Sequence, residues 1–462
     1  MKFRKAHFLS FSPLERVIAF LLIATIGFRV YFALALPITF DEAFMYLFTV
    51  SNGSWSAWTS YSEPNNHLMY SVLSALWTPI DGQTTIVFRM LSIIFSAATT
   101  LLLYKTLQLY FSRRVSLLTT LFTFCLPAVI YYGFVARGYS LILFFSIWAI
   151  WSAAHFLKSS KWHYGFQMTL ALAFGAWSVP SQLYFCIIYT LVCLFLAWRY
   201  FSKSTAIKVG LWTGLGVILA AVLYLPPVLY SGLDSIIANR FVTQPDGGVS
   251  VLDWAEHWYL SSLFYFCIPA IALLPILSMI LLWRKGKWTT KHSVISLALL
   301  MVVLIPLIHQ RLAFPRTWIF IVPLWGALVI DGLLSLRTRV IGYILTLGCC
   351  LFLIWTPTYI GRWEVGAKEV EQLYQRLIVD DVHAIHVNHP YIPVLLKYHQ
   401  KVHSSEDDFA IDAAQNLNVT PEELDGIQDS SDLIILNQDE YPNIPLNYCL
   451  DSCRSYRIYI GP

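Results

Sequence analysis

Charged residues are scarce in this chain. They make up 13% of its 462 residues, roughly half the share of an ordinary soluble domain. So little charge excludes a molecule solvated over its whole surface. The formal net charge of +4 excludes a strongly basic nucleic-acid binder, and the basic residues sit in short loops, where they report orientation instead. Cysteine offers little chemistry. Six of the 8 cysteines (Cys125, Cys186, Cys193, Cys267, Cys349, Cys350) lie inside apolar runs and read as small buried hydrophobes. Cys449 and Cys453 lie in a polar tail and can pair only in an oxidising compartment. No internal repeat and no low-complexity tract is present. No A-x-A-like cleavage site follows the first apolar run, which is therefore kept as an uncleaved first helix.

What is abundant is apolar. Hydrophobic residues are 57% of the chain, with 17 Trp and 26 Tyr, many at the ends of apolar runs where an amphipathic ring suits a membrane interface. The runs are continuous, as lipid-facing helices require. Spans are expected at 17–36, 86–107, 115–135, 140–157, 162–179, 182–200, 209–230, 258–283, 294–309, 318–336 and 340–356. The chain reads as a polytopic α-helical membrane protein with about eleven transmembrane helices. Segment 66–80 is apolar but short. If it crossed, the later basic loops carrying Arg113, Lys161, Lys203, Lys285 and Arg339 would face outward, which the positive-inside rule rejects. It is expected instead as an interfacial helix in a large outer loop, 37–85. The same rule puts the N-terminus in the cytoplasm and everything after Thr356 outside. A second outer loop, 231–257, is punctuated by Pro and Gly.

Beyond Tyr359 the composition turns polar, and the apolar runs shorten to strand length at 384–387, 433–436 and 456–460. Segments 370–379 and 421–424 read as helical, the second capped by Thr420 with Glu423 three residues on. The division expected is a membrane domain over 1–358 and a small extracytoplasmic α/β domain over 359–462. His383, His386 and His389 have no Cys or acidic partner at ligand spacing and read as incidental.

Residues able to do chemistry gather on the outer side. Asp41 and Glu42 follow the first span directly. They are either a solvated loop start or a general base with a partner that orients it or helps a metal. Glu63, Asn65, Asn66 and His67 head the interfacial segment, where the asparagines could equally cap a helix. Arg89, Arg137 (in Ala136-Arg137-Gly138-Tyr139-Ser140), Arg311 and Arg316 lie at outer helix ends or in outer loops. Each arginine either reaches for lipid headgroups or holds a phosphate through its fork of donors. The charges lie at helix ends, which argues against a transporter with charges at mid-membrane.

The pattern resembles the GT-C glycosyltransferases, in particular the family containing protein O-mannosyltransferases and the lipid A aminoarabinose transferase. Phe40-Asp41-Glu42, the segment Pro64 to Tyr70, Phe88-Arg89-Met90-Leu91, Ala136 to Leu141 and the stretch Arg311 to Pro323 carry the resemblance, over roughly the first 330 residues. It implies an inverting transfer of a sugar from a polyprenyl-phosphate donor to a lipid, glycan or protein acceptor. Asp41 would be the base, with Glu42 beside it. Arg89, Arg137, Arg311 and Arg316 would hold the donor phosphate, and Glu63, Asn65, Asn66, His67 and Tyr139 would line the substrate site. Some relatives place a second acid near Ala136–Ser140. This chain has none there, which leaves a divalent metal open. A polymerase or ligase acting on lipid-linked glycans is the alternative that would share the arginines but not need the acid pair.

Overall fold

The computed structural model describes residues 12–61, 66–77, 85–237, 249–266, 269–336, 338–379, 384–388, 392–403, 410–412, 432–437, 449–452 and 456–460. Eighteen α-helices and five strands lie among them. The first helices are α1 (Pro13–Ala35), α2 (Phe40–Phe48), α3 (Gly53–Thr59), α4 (Leu68–Trp77), α5 (Thr85–Leu107), α6 (Arg113–Cys125), α7 (Pro127–Tyr132), α8 (Tyr139–Ser159) and α9 (Trp162–Ser178). They are followed by α10 (Leu183–Tyr200), α11 (Lys203–Ser231), α12 (Asp234–Ile237), α13 (Val251–Phe266), α14 (Leu274–Arg284), α15 (Thr290–His309), α16 (Ile321–Leu334), α17 (Thr338–Val379) and α18 (Ile392–His403). The strands are β1 (Ala384–Asn388), β2 (Ala410–Asp412), β3 (Asp432–Asn437), β4 (Cys449–Ser452) and β5 (Tyr456–Ile460).

Seven helices are long and apolar enough to cross a membrane, or eight if the bent pair around residues 267–268 is one span. They expose large apolar side chains outward, such as Phe20, Leu101, Leu229 and Ile354. That is a surface lipid accepts and water does not. Inside, close helix contacts rest on small residues. A Cβ on Gly332 of α16 would meet Ser278 of α14 at 2.4 Å, the small-residue packing that membrane helices use.

The expected spans fall on helices, but not all on long ones. Segment 115–135 is broken into α6 and α7, because Leu126 is extended and Pro127 starts a new helix at its first position. α9 and α16, at 17 and 14 residues, are shorter than expected. Segment 258–283 is α13 and α14 with a 3-10 turn between them. One expectation is corrected outright: not every charge lies at a helix end. Arg29 sits inside α1, 1% exposed, and was missed among the apolar residues around it. Its Nη1 donates to the Thr25 carbonyl at 2.9 Å and its Nη2 to the Phe124 carbonyl at 3.2 Å. The break after Cys125 interrupts the helical ladder around Phe124, and the guanidinium takes that carbonyl's otherwise costly hydrogen bond.

Among the described residues, segment 66–80 is helical over Leu68–Trp77 as α4, ten residues, about 15 Å and too short to span. The first loop also holds α2 and α3. At the far end, α17 runs unbroken through Tyr359 to Val379, so 370–379 continues the last long helix. Segment 421–424 and Cys453 lie outside the described residues. The strands form one sheet in the order β2-β1-β3-β5-β4. β1 is parallel to β2 and β3, and β5 is antiparallel to β3 and β4. α18 carries Tyr398, whose ring meets Tyr46 of α2 edge-on at 5.3 Å, and Lys401, whose Nζ donates to Ser51 at 2.9 Å. The C-terminal segment thus contacts the loop that carries the acid pair.

Candidate active site

The site is built on the start of α2. Thr39 and Glu42 form a reciprocal capping box: Glu42 N donates to Thr39 Oγ1 at 3.3 Å, and Thr39 N donates to Glu42 Oε2 at 2.9 Å. Two acids in the first turn also suit the positive end of the helix. Consecutive helical residues point about 100° apart. The two adjacent carboxylates therefore diverge, Glu42 into the protein and Asp41 outward.

Glu42 is fully buried and meets Arg89, equally buried, in a fork. Arg89 Nε donates to Oε1 at 2.8 Å and Nη2 to Oε2 at 2.6 Å. The other Arg89 protons go to the carbonyls of Ala33, Leu36 and Pro37, at 3.2, 2.8 and 2.7 Å. Those carbonyls end α1, so the pair locks the end of the first helix, the start of α2 and α5 together. Glu42 Oε1 also accepts from Ala136 N at 2.6 Å, which fixes the backbone one residue before Arg137. Burial by itself pushes the Glu42 carboxyl up, but Arg89 and the N–H groups of Ala136 and Thr39 together hold it below its ordinary 4.5. Two expectations are corrected here. Arg89 is not placed to hold a phosphate, since its donors are committed to Glu42 and three carbonyls. Glu42 is not placed to act on a substrate, since it is enclosed.

Asp41 is the exposed member of the pair. Its side chain is 38% exposed, and its Oδ2 lies 3.1 Å from Nη1 of Arg137, itself only 3% exposed. Arg316 lies behind them. Its guanidinium sits 4.6 Å from the Phe314 ring centroid and 5.8 Å from that of Tyr139, and Asp41 and Tyr132 are within its electrostatic reach. Tyr139 is buried, with its ring 5.1 Å from His67 and 4.5 Å from Tyr132. Arg311 lies instead beside Tyr184 and His309, whose Nδ1 is 2.8 Å from the Tyr184 hydroxyl.

His67 is 2% exposed, and its ring lies within reach of the Ser178 carbonyl. Burial first, then the charges of Arg137 and Arg316, push its imidazole well below the ordinary range, so it is neutral at physiological pH. Gly138 permits this approach: a Cβ there would stand 3.0 Å from His67 Nδ1 and 3.1 Å from the Ser178 carbonyl. Asn66 is a further correction. It is buried, its Nδ2 donates to the carbonyls of Ala57 and Ser60 at 3.1 and 2.6 Å, and its Oδ1 accepts from Ser71 at 2.6 Å. Its side chain ties the start of α4 to α3, with both Nδ2 protons and Oδ1 engaged inside the protein. Glu63 and Asn65 lie outside the described residues.

The structure therefore gathers Asp41, Arg137, Arg316, His67 and Tyr139, and sets Glu42, Arg89 and Asn66 behind them as supports. Tyr132 joins the group unannounced, since a tyrosine in an apolar run carries no signal of its own. Among the described residues no group of three or more His, Cys, Asp or Glu side chains is placed to hold a metal ion. Asp41 faces a guanidinium and His67 lies near two, so these residues do not make a cation site. They do suit an anion beside a carboxylate.

A bundle of helices long and apolar enough to cross a bilayer makes this a multispanning membrane protein. The family model described as dolichyl-phosphate-mannose-protein mannosyltransferase matches residues 63–230. The match covers His67, Arg89, Arg137 and Tyr139 and leaves out Asp41 and Arg316. The fold is shared with ArnT from Cupriavidus metallidurans in the apo state, with a TM-score of 0.60 and 9% identity over 96% of this chain and 98% of that one. The same protein bound to undecaprenyl phosphate gives 0.58 and 10% identity over the same shares. An oligosaccharyltransferase from Archaeoglobus fulgidus, in complex with zinc and sulfate, gives 0.50 and 10% identity over 92% of this chain and 68% of that one. No curated protein sequence matches the chain. At these identities the structural likeness is one of fold. Together with the family match, it bears out the resemblance to GT-C membrane glycosyltransferases seen in the sequence.

Proposed function

We propose that this protein is an inverting glycosyltransferase that takes a sugar from a polyprenyl-phosphate carrier and places it on a lipid, glycan or protein acceptor at the outer face of the membrane. The observation that carries the reading is the Asp41 carboxylate at a half-open position, 3.1 Å from the buried Arg137 guanidinium, with Arg316 behind it. The fold shared with a protein crystallised with undecaprenyl phosphate supports the donor class.

In this reading Asp41 takes the proton of an acceptor hydroxyl or amine as that group attacks the anomeric carbon from the face opposite the phosphate. The bond from the anomeric carbon to the phosphate oxygen breaks, and the electron pair leaves with the carrier. The carrier thereby changes from a phosphodiester to a monoester and gains a negative charge. Arginine donors fixed before the reaction stabilise that charge most as it develops. Arg316 and Arg137 are the donors nearest Asp41. Arg311, beside Tyr184 and His309, would meet the carrier further along. Glu42 and Arg89 keep Asp41 and Arg137 in register and touch no substrate.

The eleven spans and the outward C-terminal segment belong to the same proposal. They are supported by the basic residues crowding alternate loops. A polymerase or ligase of lipid-linked glycans would use the arginines without an acid adjoining α1. The placement of Asp41 favours transfer from a single-sugar carrier. The test is direct: the purified chain in lipid vesicles is given polyprenyl phosphate carrying a labelled sugar, and free polyprenyl phosphate is followed. Acceptor-dependent release supports transfer. Consumption only of carriers bearing glycan chains supports the polymerase or ligase, and no turnover of either with membrane extracts as acceptor contradicts both.

A further inference from the structure

A second site stands at the other end of the helices. Glu15 opens α1, whereas Asp41 lies just past its end, and 23 residues of helix span about 34 Å. There a half-open cavity of about 550 Å³ lies between the starts of α1, α6 and α15 and the ends of α14 and α16. Its polar wall is Arg113, Arg114, Lys287 and Lys291 against only two carboxylates, Glu15 and Asp331.

Both carboxylates are already engaged. Glu15 lies 3.6 Å from Arg113 Nε and accepts from Ser12 N at 2.8 Å. Asp331 lies 2.8 Å from Lys291 Nζ and 2.9 Å from His292 Nε2. Arg114 and Lys287 have no acidic partner among the described residues, and Arg114 Nε is buried without a hydrogen bond. An unpaired guanidinium proton out of water is costly. Lys287 reaches the same wall from solvent. The starts of α6 and α15, helices of 13 and 20 residues, add their positive ends to the same wall. Val115, Leu282 and Leu334 supply an apolar side.

We propose that this cavity binds a phosphate-bearing anion, held by Arg114 and Lys287 between the starts of α6 and α15. The group would arrive on an anionic phospholipid, as basic pockets between membrane helices recognise, or as free phosphate. The site is separate from the reaction at Asp41.

Two arms distinguish the sources. The full-length chain, purified with phosphatidylglycerol present, is examined by native mass spectrometry for retained lipid. In the second arm inorganic phosphate is titrated into lipid-stripped protein against chloride at matched ionic strength, with the thermal midpoint followed. Retained lipid identifies the phospholipid, stabilisation by inorganic phosphate identifies the free anion, and either supports the proposal. Arg114→Gln/Lys287→Gln should bind about 30-fold more weakly in the arm that responds. The swapped pair Arg114→Lys/Lys287→Arg should restore most of it, which separates lost charge from a damaged fold. Arg199→Gln/Lys203→Gln, basic residues outside the cavity, should bind as wild type. Absence of binding in both arms overturns the proposal. So does wild-type binding by the Arg114/Lys287 variant, or an equal loss in the Arg199/Lys203 control.

Discussion

Alanine at Arg89 should cost this protein its stability before it costs anything else. The side chain is fully buried, forks onto a buried Glu42 and closes the carbonyl end of α1. Its removal leaves a carboxylate without a counter-charge and three carbonyls without their donor. Removing one member of a buried pair costs about 3–5 kcal/mol, close to a thousandfold in a folding equilibrium. A phosphate-binding arginine predicts something different, namely normal stability with weakened donor binding. The assay is thermal unfolding of the purified chain in detergent, wild type against Arg89→Ala, Arg89→Lys and Glu42→Gln. Arg89→Lys keeps the charge but not the fork and should fall between wild type and alanine. The double variant Arg89→Met/Glu42→Met should lose less than the two single variants together, because neither partner is then left charged and alone. An Arg89→Ala protein that melts like wild type but no longer binds donor would refute the support role and return Arg89 to the substrate.

The fold and the site were legible in the sequence to different degrees. The long spans were legible because an uninterrupted apolar run has few other fates. The break at Leu126 was not, since Pro127 lies in an apolar run and proline is tolerated in membrane helices where neighbouring groups satisfy the freed backbone. Asp41, His67 and Arg137 were legible as polar residues stranded on one side of the membrane. The supporting role of Glu42 was one of several left open and that of Arg89 was not assigned, although the signal was present. Thr39 and Glu42 have capping-box spacing, which makes α2 a helix, and a helix turns two adjacent acids to different sides. Asn66 was misassigned because its partners, Ala57, Ser60 and Ser71, are set by a loop conformation that spacing does not encode. α18 was overlooked, yet Ile392, Leu395, Leu396 and Val402 follow a helical period and are all buried.

The remaining predictions concern the supports and the donor site. Asn66→Ala should destabilise the chain by about 1–3 kcal/mol through the unmet carbonyls of Ala57 and Ser60, read in the same melts, and Asn66→Asp should not rescue it because the Nδ2 donors are gone. The folded Glu42 carboxyl titrates below its ordinary 4.5, so its stabilisation is complete above that pH and is lost as the pH falls through the lowered value. The gap in melting midpoint between wild type and Glu42→Gln should therefore be constant from pH 8 to about 5 and shrink as the pH falls below the ordinary carboxyl value; a gap that widens on acidification contradicts the pairing. Arg316→Ala should slow transfer by about 10²-fold or more, as loss of a preorganised donor does, with Arg316→Lys intermediate and both melting like wild type.

The central claim is that Asp41 acts on the acceptor's proton while the guanidinium groups beside it hold the carrier. Single-turnover transfer from a labelled polyprenyl-phosphate sugar, measured for Asp41→Asn alongside carrier binding by the same protein, tests it most directly. The account predicts transfer slowed by about 10²–10⁴-fold with carrier binding within a few-fold of wild type. Transfer at the wild-type rate by Asp41→Asn would contradict it.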